Sequence, residues 1–131
     1  MPASLMIPIG YTLTGLFAAF MLLASIAPKL VGASVATDSM TALGWPPGHT
    51  LAIGLAELGC LVLYLVPRTT LLGAVLMTGL LGGAMATQIR VGNPLFSHAL
   101  FSVYLGLFMW GGLWLRAPWL RALFPLVAPG R

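Results

Sequence analysis

The 131-residue chain holds only two side-chain carboxylates, and one of them, Glu57, interrupts an apolar run. A carboxylate surrounded by hydrocarbon costs about 3 kcal/mol or more unless it is paired, protonated or hydrated, so it is a functional candidate by default. Glu57 lies about nine residues into its run, roughly 13 Å along a helix that rises 1.5 Å per residue. Thr50, Ile53, Cys60 and Tyr64 share its helical face, which should look toward neighbouring helices. Partners of suitable chemistry stand at the ends of other apolar runs: Lys29, Gln88, Arg90, and His98 with Ser102 four residues on. His49 opens the run that carries Glu57. Antiparallel threading of these runs gathers all of these groups at one end, above Glu57. Glu57, Gln88, Arg90, His98 and Lys29 therefore form the candidate polar pocket. Arg90 continues the stripe Gly79–Gly83–Thr87 and can reach inward toward Glu57. The set suits either a structural ion pair that fixes helix register or a pocket for a ligand or proton. Two histidines and one carboxylate from separate helices lack the short spacing of metal motifs, so no metal site is expected.

The elements that must position these residues are four apolar runs, at about 7–27, 49–66, 69–88 and 96–115. A helix needs about 20 apolar residues to cross a hydrocarbon core about 30 Å thick. The expected fold is all-α: one integral membrane domain, a four-helix bundle embedded in the lipid bilayer. The first run closes at Pro28-Lys29. Its end, Ala24-Ser25-Ile26-Ala27, superficially resembles a signal-cleavage site, but no Lys or Arg precedes it, so it reads as a retained span. Residues 30–47 form the one extended polar interval, which runs into the turn Gly44-Trp45-Pro46-Pro47-Gly48. A short helix lying at the interface, with Trp45 at headgroup level, is expected there. Pro67-Arg68 leaves only a tight turn between the second and third runs, which makes them antiparallel neighbours. Trp110, Trp114, Arg116, Trp119 and Arg121 read as an interfacial belt.

Composition excludes several function classes. Charged residues make up 6% of the chain and hydrophobic ones 60%, whereas a soluble domain carries about 25% charged residues. Six scattered cations, Lys29, Arg68, Arg90, Arg116, Arg121 and Arg131, do not form the clustered patch that nucleic acid needs. The single cysteine, Cys60, rules out an intrachain disulfide or a CxxC pair. No Ser-His-Asp order, phosphate-binding glycine loop or dinucleotide fingerprint occurs. Four spans place both termini and the second loop on one side with Arg68, Arg116, Arg121 and Arg131, opposite Lys29 and Arg90. The excess of cations then puts both termini in the cytoplasm.

Lipid removes the hydrophobic drive between helices, so association must come from close backbone approach and buried hydrogen bonds. Small residues recur on the third run as Gly79, Gly83 and Thr87, with Ala74, Thr78, Gly82 and Ala86 alongside. This surface is expected to pack against helices of the same chain, a second copy or a membrane partner. A weaker face of the same kind runs along Tyr11, Thr14, Ala18 and Ser25.

The run from Val66 to His98, VPRTTLLGAVLMTGLLGGAMATQIRVGNPLFSH, resembles the DoxX-like family of small bacterial four-helix membrane proteins. The preceding LGWPPGHTLAIGLAELGCLVLYL is similar to the family's Leu-Gly-x-Pro segment and Glu-Leu-containing second span, and SIAPKL to the end of its first span. One departure is Gln88-Ile89-Arg90, where relatives often carry His-x-Arg. The resemblance implies a protein of the bacterial inner membrane with a redox-adjacent role. A distant relative is the membrane subunit of an archaeal thiosulfate:quinone oxidoreductase, and other members accompany membrane oxidoreductases in oxidative-stress defence. On that footing the chain is expected to be an accessory or quinone-facing subunit of a redox system, with quinone near Glu57, Gln88, Arg90 and His98. A non-catalytic scaffold and a small solute or proton pathway are the alternatives.

Overall fold

In the computed structural model, which describes residues 2–127, the first helix does not stop at Pro28-Lys29 but continues from Ala3 to Leu30 (α1). Proline inside a helix removes one donor and clashes with the carbonyl four residues back. Here a wider π turn, Met21–Ile26, immediately precedes it, and the Ala27 N–H bonds to the Leu22 carbonyl five residues back. This turn offsets the backbone ahead of the proline, so Lys29 lies on a helix face and not in a loop. Arg131, one of the six cations, lies outside the described residues.

The expected interfacial segment contains a nine-residue helix, Ser34–Ala42 (α2). It ends at Gly44, whose φ of +86° suits a residue without a Cβ. The Gly44 N–H bonds to the Thr41 carbonyl and the Trp45 N–H to the Met40 carbonyl, both at 3.0 Å. That closure folds Trp45 back beside Met40. Three further helices follow: Thr50–Leu65 (α3), Pro67–Arg90 (α4, opening with a tight 3₁₀ turn) and Leu95–Arg116 (α5). A short turn of helix, Pro118–Arg121 (α6), returns along α5. All described secondary structure is helical.

Three helices, α1, α4 and α5, are long and apolar enough to cross a membrane. The fourth, α3, is apolar but has 16 residues, about 24 Å at 1.5 Å per residue. Large apolar side chains such as Leu23, Phe96 and Leu107 point outward and are exposed, as suits lipid and not water.

Helix α1 packs on α5 along its first half and on α3 through its last turns, while α4 packs on both α3 and α5. Phe17, Tyr64, Met77, Met109 and Leu113 fill the interior. Within the chain, the closest backbone approaches occur at glycines outside the Gly79–Gly83 stripe. A Cβ at Gly73 would stand 2.2 Å from the Tyr64 backbone nitrogen, and one at Gly10 2.7 Å from the Arg116 backbone nitrogen. By contrast, Gly79, Gly82 and Gly83 have open space above their Cα atoms. Of the small-residue stripe, Ala74 is fully buried and Thr78 accepts a hydrogen bond from Trp110 Nε1 at 2.8 Å. Its glycines leave a gap.

Trp114 Nε1 donates to the Phe124 carbonyl at 2.8 Å, and Trp110 stacks on Phe124 with ring centroids 5.3 Å apart. Arg121 Nη1 donates to the Trp114 and Leu115 carbonyls at 3.0 and 2.7 Å. It thereby satisfies carbonyls that the end of α5 leaves without helical partners.

Candidate functional site

The Glu57 site is built from two helical repeats meeting at a glycine. On α1, Ser25 and Lys29 are four residues apart and therefore on one face. On α3, Gly54 lies beneath Lys29: a Cβ there would stand 2.8 Å from the Lys29 Cβ. The bare backbone lets α1 close on α3 and brings Glu57 level with Ser25. Lys29 Nζ is then 3.1 Å from Glu57 Oε1, while Ser25 Oγ donates to Glu57 Oε2 at 2.7 Å. Lys29 Nζ donates in turn to Ser25 Oγ at 2.7 Å and to the Ser25 carbonyl at 3.3 Å. The serine hydroxyl thus accepts from the ammonium and donates to the carboxylate, closing a three-membered ring. Both charged side chains are largely buried, at 15% and 12% exposure for Lys29 and Glu57. A low-dielectric ion pair persists when hydrogen bonds satisfy the remaining donors and acceptors, and Ser25 does this.

Above the ring opens a cleft of about 470 Å³. Its walls are apolar, with Met21, Met77, Leu80, Leu81 and Leu105 among them. Gly79 and Gly83 line it on α4, where side chains would otherwise fill the space. Met40, Leu43 and Trp45, from α2 and its closing turn, cover its end. Polar groups enter at few points: Lys29, Ser25 and Glu57, with Thr87 and Gln88 from α4 and Ser102 from α5. The Gln88 amide oxygen accepts from Asn93 Nδ2, which leaves its own N–H groups without a partner among the described residues. Ser102 is buried on α5.

Of the five candidate pocket residues, three line the cleft: Lys29, Glu57 and Gln88. Arg90 takes another position. It is exposed, and its Nη2 donates to the Leu43 carbonyl at 3.2 Å, tying the end of α4 to the turn after α2. Lys29 already neutralises the carboxylate, so Arg90 is not drawn inward. His98 is exposed as well and pairs with its neighbour Ser97, Nδ1 to Oγ 2.8 Å. His49 lies against Trp45, ring centroids 6.0 Å apart. Among the described residues no three His, Cys, Asp or Glu side chains gather to hold a metal.

Sequence reasoning did not single out Ser25 as the bridging group or Met40, Leu43 and Trp45 as the cover. The i, i+4 spacing of Ser25 and Lys29 was the available signal. A second polar cluster at the opposite end, Thr14, Tyr64 and Arg116, was not anticipated either.

The site therefore offers hydrogen-bond donors around an apolar slot with a paired, net-neutral floor. Such an arrangement has the chemistry to suit an amphipathic molecule. No curated protein and no solved structure matches the chain. The model of the DoxX-like family matches residues 12–112, a segment that contains every residue lining the cleft. With more than three quarters of its length matched, the chain belongs to the DoxX-like family.

Proposed function

We propose that this chain spans a bacterial cytoplasmic membrane four times, with both termini in the cytoplasm, and binds a lipid-soluble quinone in the cleft above Glu57. It serves there as an accessory or quinone-facing subunit of a membrane redox system. The observation that carries this reading is the cleft itself. Its volume of about 470 Å³ falls within the roughly 300–1,000 Å³ of small-molecule sites, and such sites combine apolar walls with a few placed polar groups. Quinone carbonyls accept hydrogen bonds. The Gln88 amide and the Ser102 hydroxyl are donors set around the slot, and the methionines and leucines of its walls suit a flat apolar ring. Topology is supported by the cations: with Lys29 turned inward to Glu57, Arg90 is left as the loop cation on that side, against Arg68, Arg116 and Arg121 on the other. The decisive experiment purifies the protein in mild detergent and measures bound quinone by solvent extraction and mass spectrometry. Wild type should carry quinone and Gly83→Leu should lose it; wild type devoid of quinone and unable to take it up would end this reading.

A scaffold role has its own support. Gly82 and Gly106 line a second apolar groove between α4 and α5, closed at one end by Trp110 and Phe124. A helix of a membrane partner or of a second copy fits such a surface, since small residues permit close approach. Cross-linking in native membranes should recover that partner, and Gly82→Leu should prevent it.

A further inference from the structure

The two ends of the molecule differ in charge balance. Both side-chain carboxylates, Asp38 and Glu57, lie toward the end that carries α2, whereas Arg68, Arg116 and Arg121 lie at the end where α1 begins and α5 finishes. Arg121 is committed to backbone carbonyls and Arg68 is exposed in the opening turn of α4. Arg116 is held differently. Its Nε donates to Thr14 Oγ1 at 3.0 Å. Thr14 Oγ1 lies 3.2 Å from the Tyr64 hydroxyl, which donates to the Met109 carbonyl at 2.6 Å. Because Tyr64 spends its proton on Met109, the threonine must donate to Tyr64, and the chain of donors runs one way from Arg116 to Met109. The guanidinium carbon also stands 5.4 Å from the ring centroids of both Tyr11 and Tyr64. Close aromatic faces hold a cation in position.

This leaves the two terminal nitrogens of Arg116 without a hydrogen-bond partner among the described residues. No unpartnered side-chain nitrogen or oxygen is buried there, so the fork reaches the protein surface. Its surroundings are apolar. On the outer face of α1, Ile7 and Tyr11 are exposed, and Gly15, one turn further, has open space above it. A fixed guanidinium fork matches the geometry of a phosphate, which it binds through two parallel hydrogen bonds.

We infer that Arg116 and Tyr11 form a binding site for the phosphate of an anionic phospholipid, with an acyl chain running along α1 past Gly15 toward the middle of the membrane. Net charge selects the lipid: this end carries three arginines and no side-chain carboxylate among the described residues, so a zwitterionic headgroup balances less of the charge. The apolar bed beside the fork favours a lipid phosphate over a free one. The assignment rests on the membrane-spanning reading given above, and it is independent of the quinone cleft.

The test is native mass spectrometry of the protein in neutral detergent, titrated with phosphatidylglycerol or phosphatidylcholine. Wild type should retain phosphatidylglycerol about tenfold more strongly, a difference of about 1.4 kcal/mol, and Arg116→Gln should abolish that preference. Because Arg116→Gln also cuts the bond to Thr14, Tyr11→Leu serves as the second variant. It alters an exposed ring, should lower the unfolding midpoint far less than Arg116→Gln does, and should still weaken phosphatidylglycerol retention about threefold, because the fork it holds in position is released. Equal retention of both lipids by wild type, or undiminished preference in both variants, overturns the assignment. Full displacement of the lipid by millimolar inorganic phosphate overturns it too, in favour of a free-anion site. Resistance of the protein to carbonate extraction from membranes checks the membrane-spanning reading separately, and the quinone content of the same preparations checks the cleft.

Discussion

Lys29 and Glu57 face each other across the α1–α3 contact at 3.1 Å, with Ser25 bonded to both. The pair sits at the floor of the cleft and joins the end of one long helix to the middle of the shortest of the four. Each of its charges is satisfied only while the other is present.

Removal of one partner should therefore cost more than removal of both. Lys29→Met should destabilise the protein by about 3 kcal/mol, because an uncompensated carboxylate stays buried. The double variant Lys29→Met, Glu57→Leu should recover most of that loss, since an apolar replacement of a buried pair is often close to neutral. Thermal unfolding in one detergent provides the double-mutant cycle; additive losses would refute the coupling.

Glycines on α4 should divide into two classes. Gly73→Ala forces a Cβ to within 2.2 Å of the Tyr64 backbone and should destabilise by about 1–3 kcal/mol through overpacking. Gly79→Ala meets nothing within 4 Å and should gain up to about 1 kcal/mol from helix propensity. Thermal unfolding of the two variants, compared side by side, checks both signs.

Tyr64→Phe removes the hydrogen bond to Met109 at 2.6 Å and leaves the Thr14 hydroxyl one acceptor short. The expected loss is about 1 kcal/mol, the scale of single interhelical hydrogen bonds in membrane proteins. It should appear as a lower unfolding midpoint with unchanged helical content by circular dichroism.

Filling the cleft should separate binding from folding. Gly83→Leu projects a side chain into space where a Cβ meets nothing within 4 Å, so the helices need not move. Bound quinone should fall at least about tenfold, the equivalent of about 1.4 kcal/mol, while the unfolding midpoint stays within about 2 °C of wild type. Extraction with mass spectrometry and a melting curve on the same sample supply both readings.

Much was legible in the residues alone. The apolar runs, the polar interval with its short helix, the inward face of Glu57, Ile53 and Tyr64, and the membership of the DoxX-like family follow from local pattern, because hydropathy and helical period depend on near neighbours. Lys29 could be placed at the end of a helix that approaches Glu57, but not chosen over Arg90. That choice depends on how far a helix runs past a proline and on which side chain reaches the carboxylate first, and neither is local.

The sequence by itself determined an all-helical chain of apolar runs with one costly carboxylate and few charges to balance it. Only the tertiary structure decided which glycines bring backbones together and which leave room. Gly54 and Gly73 admit a neighbouring helix, while Gly79 and Gly83, spaced just as favourably on paper, face the cleft. The physical reason is that a missing Cβ is permissive in both directions. It allows a neighbour to approach or a space to remain, and the positions of the other helices select between them.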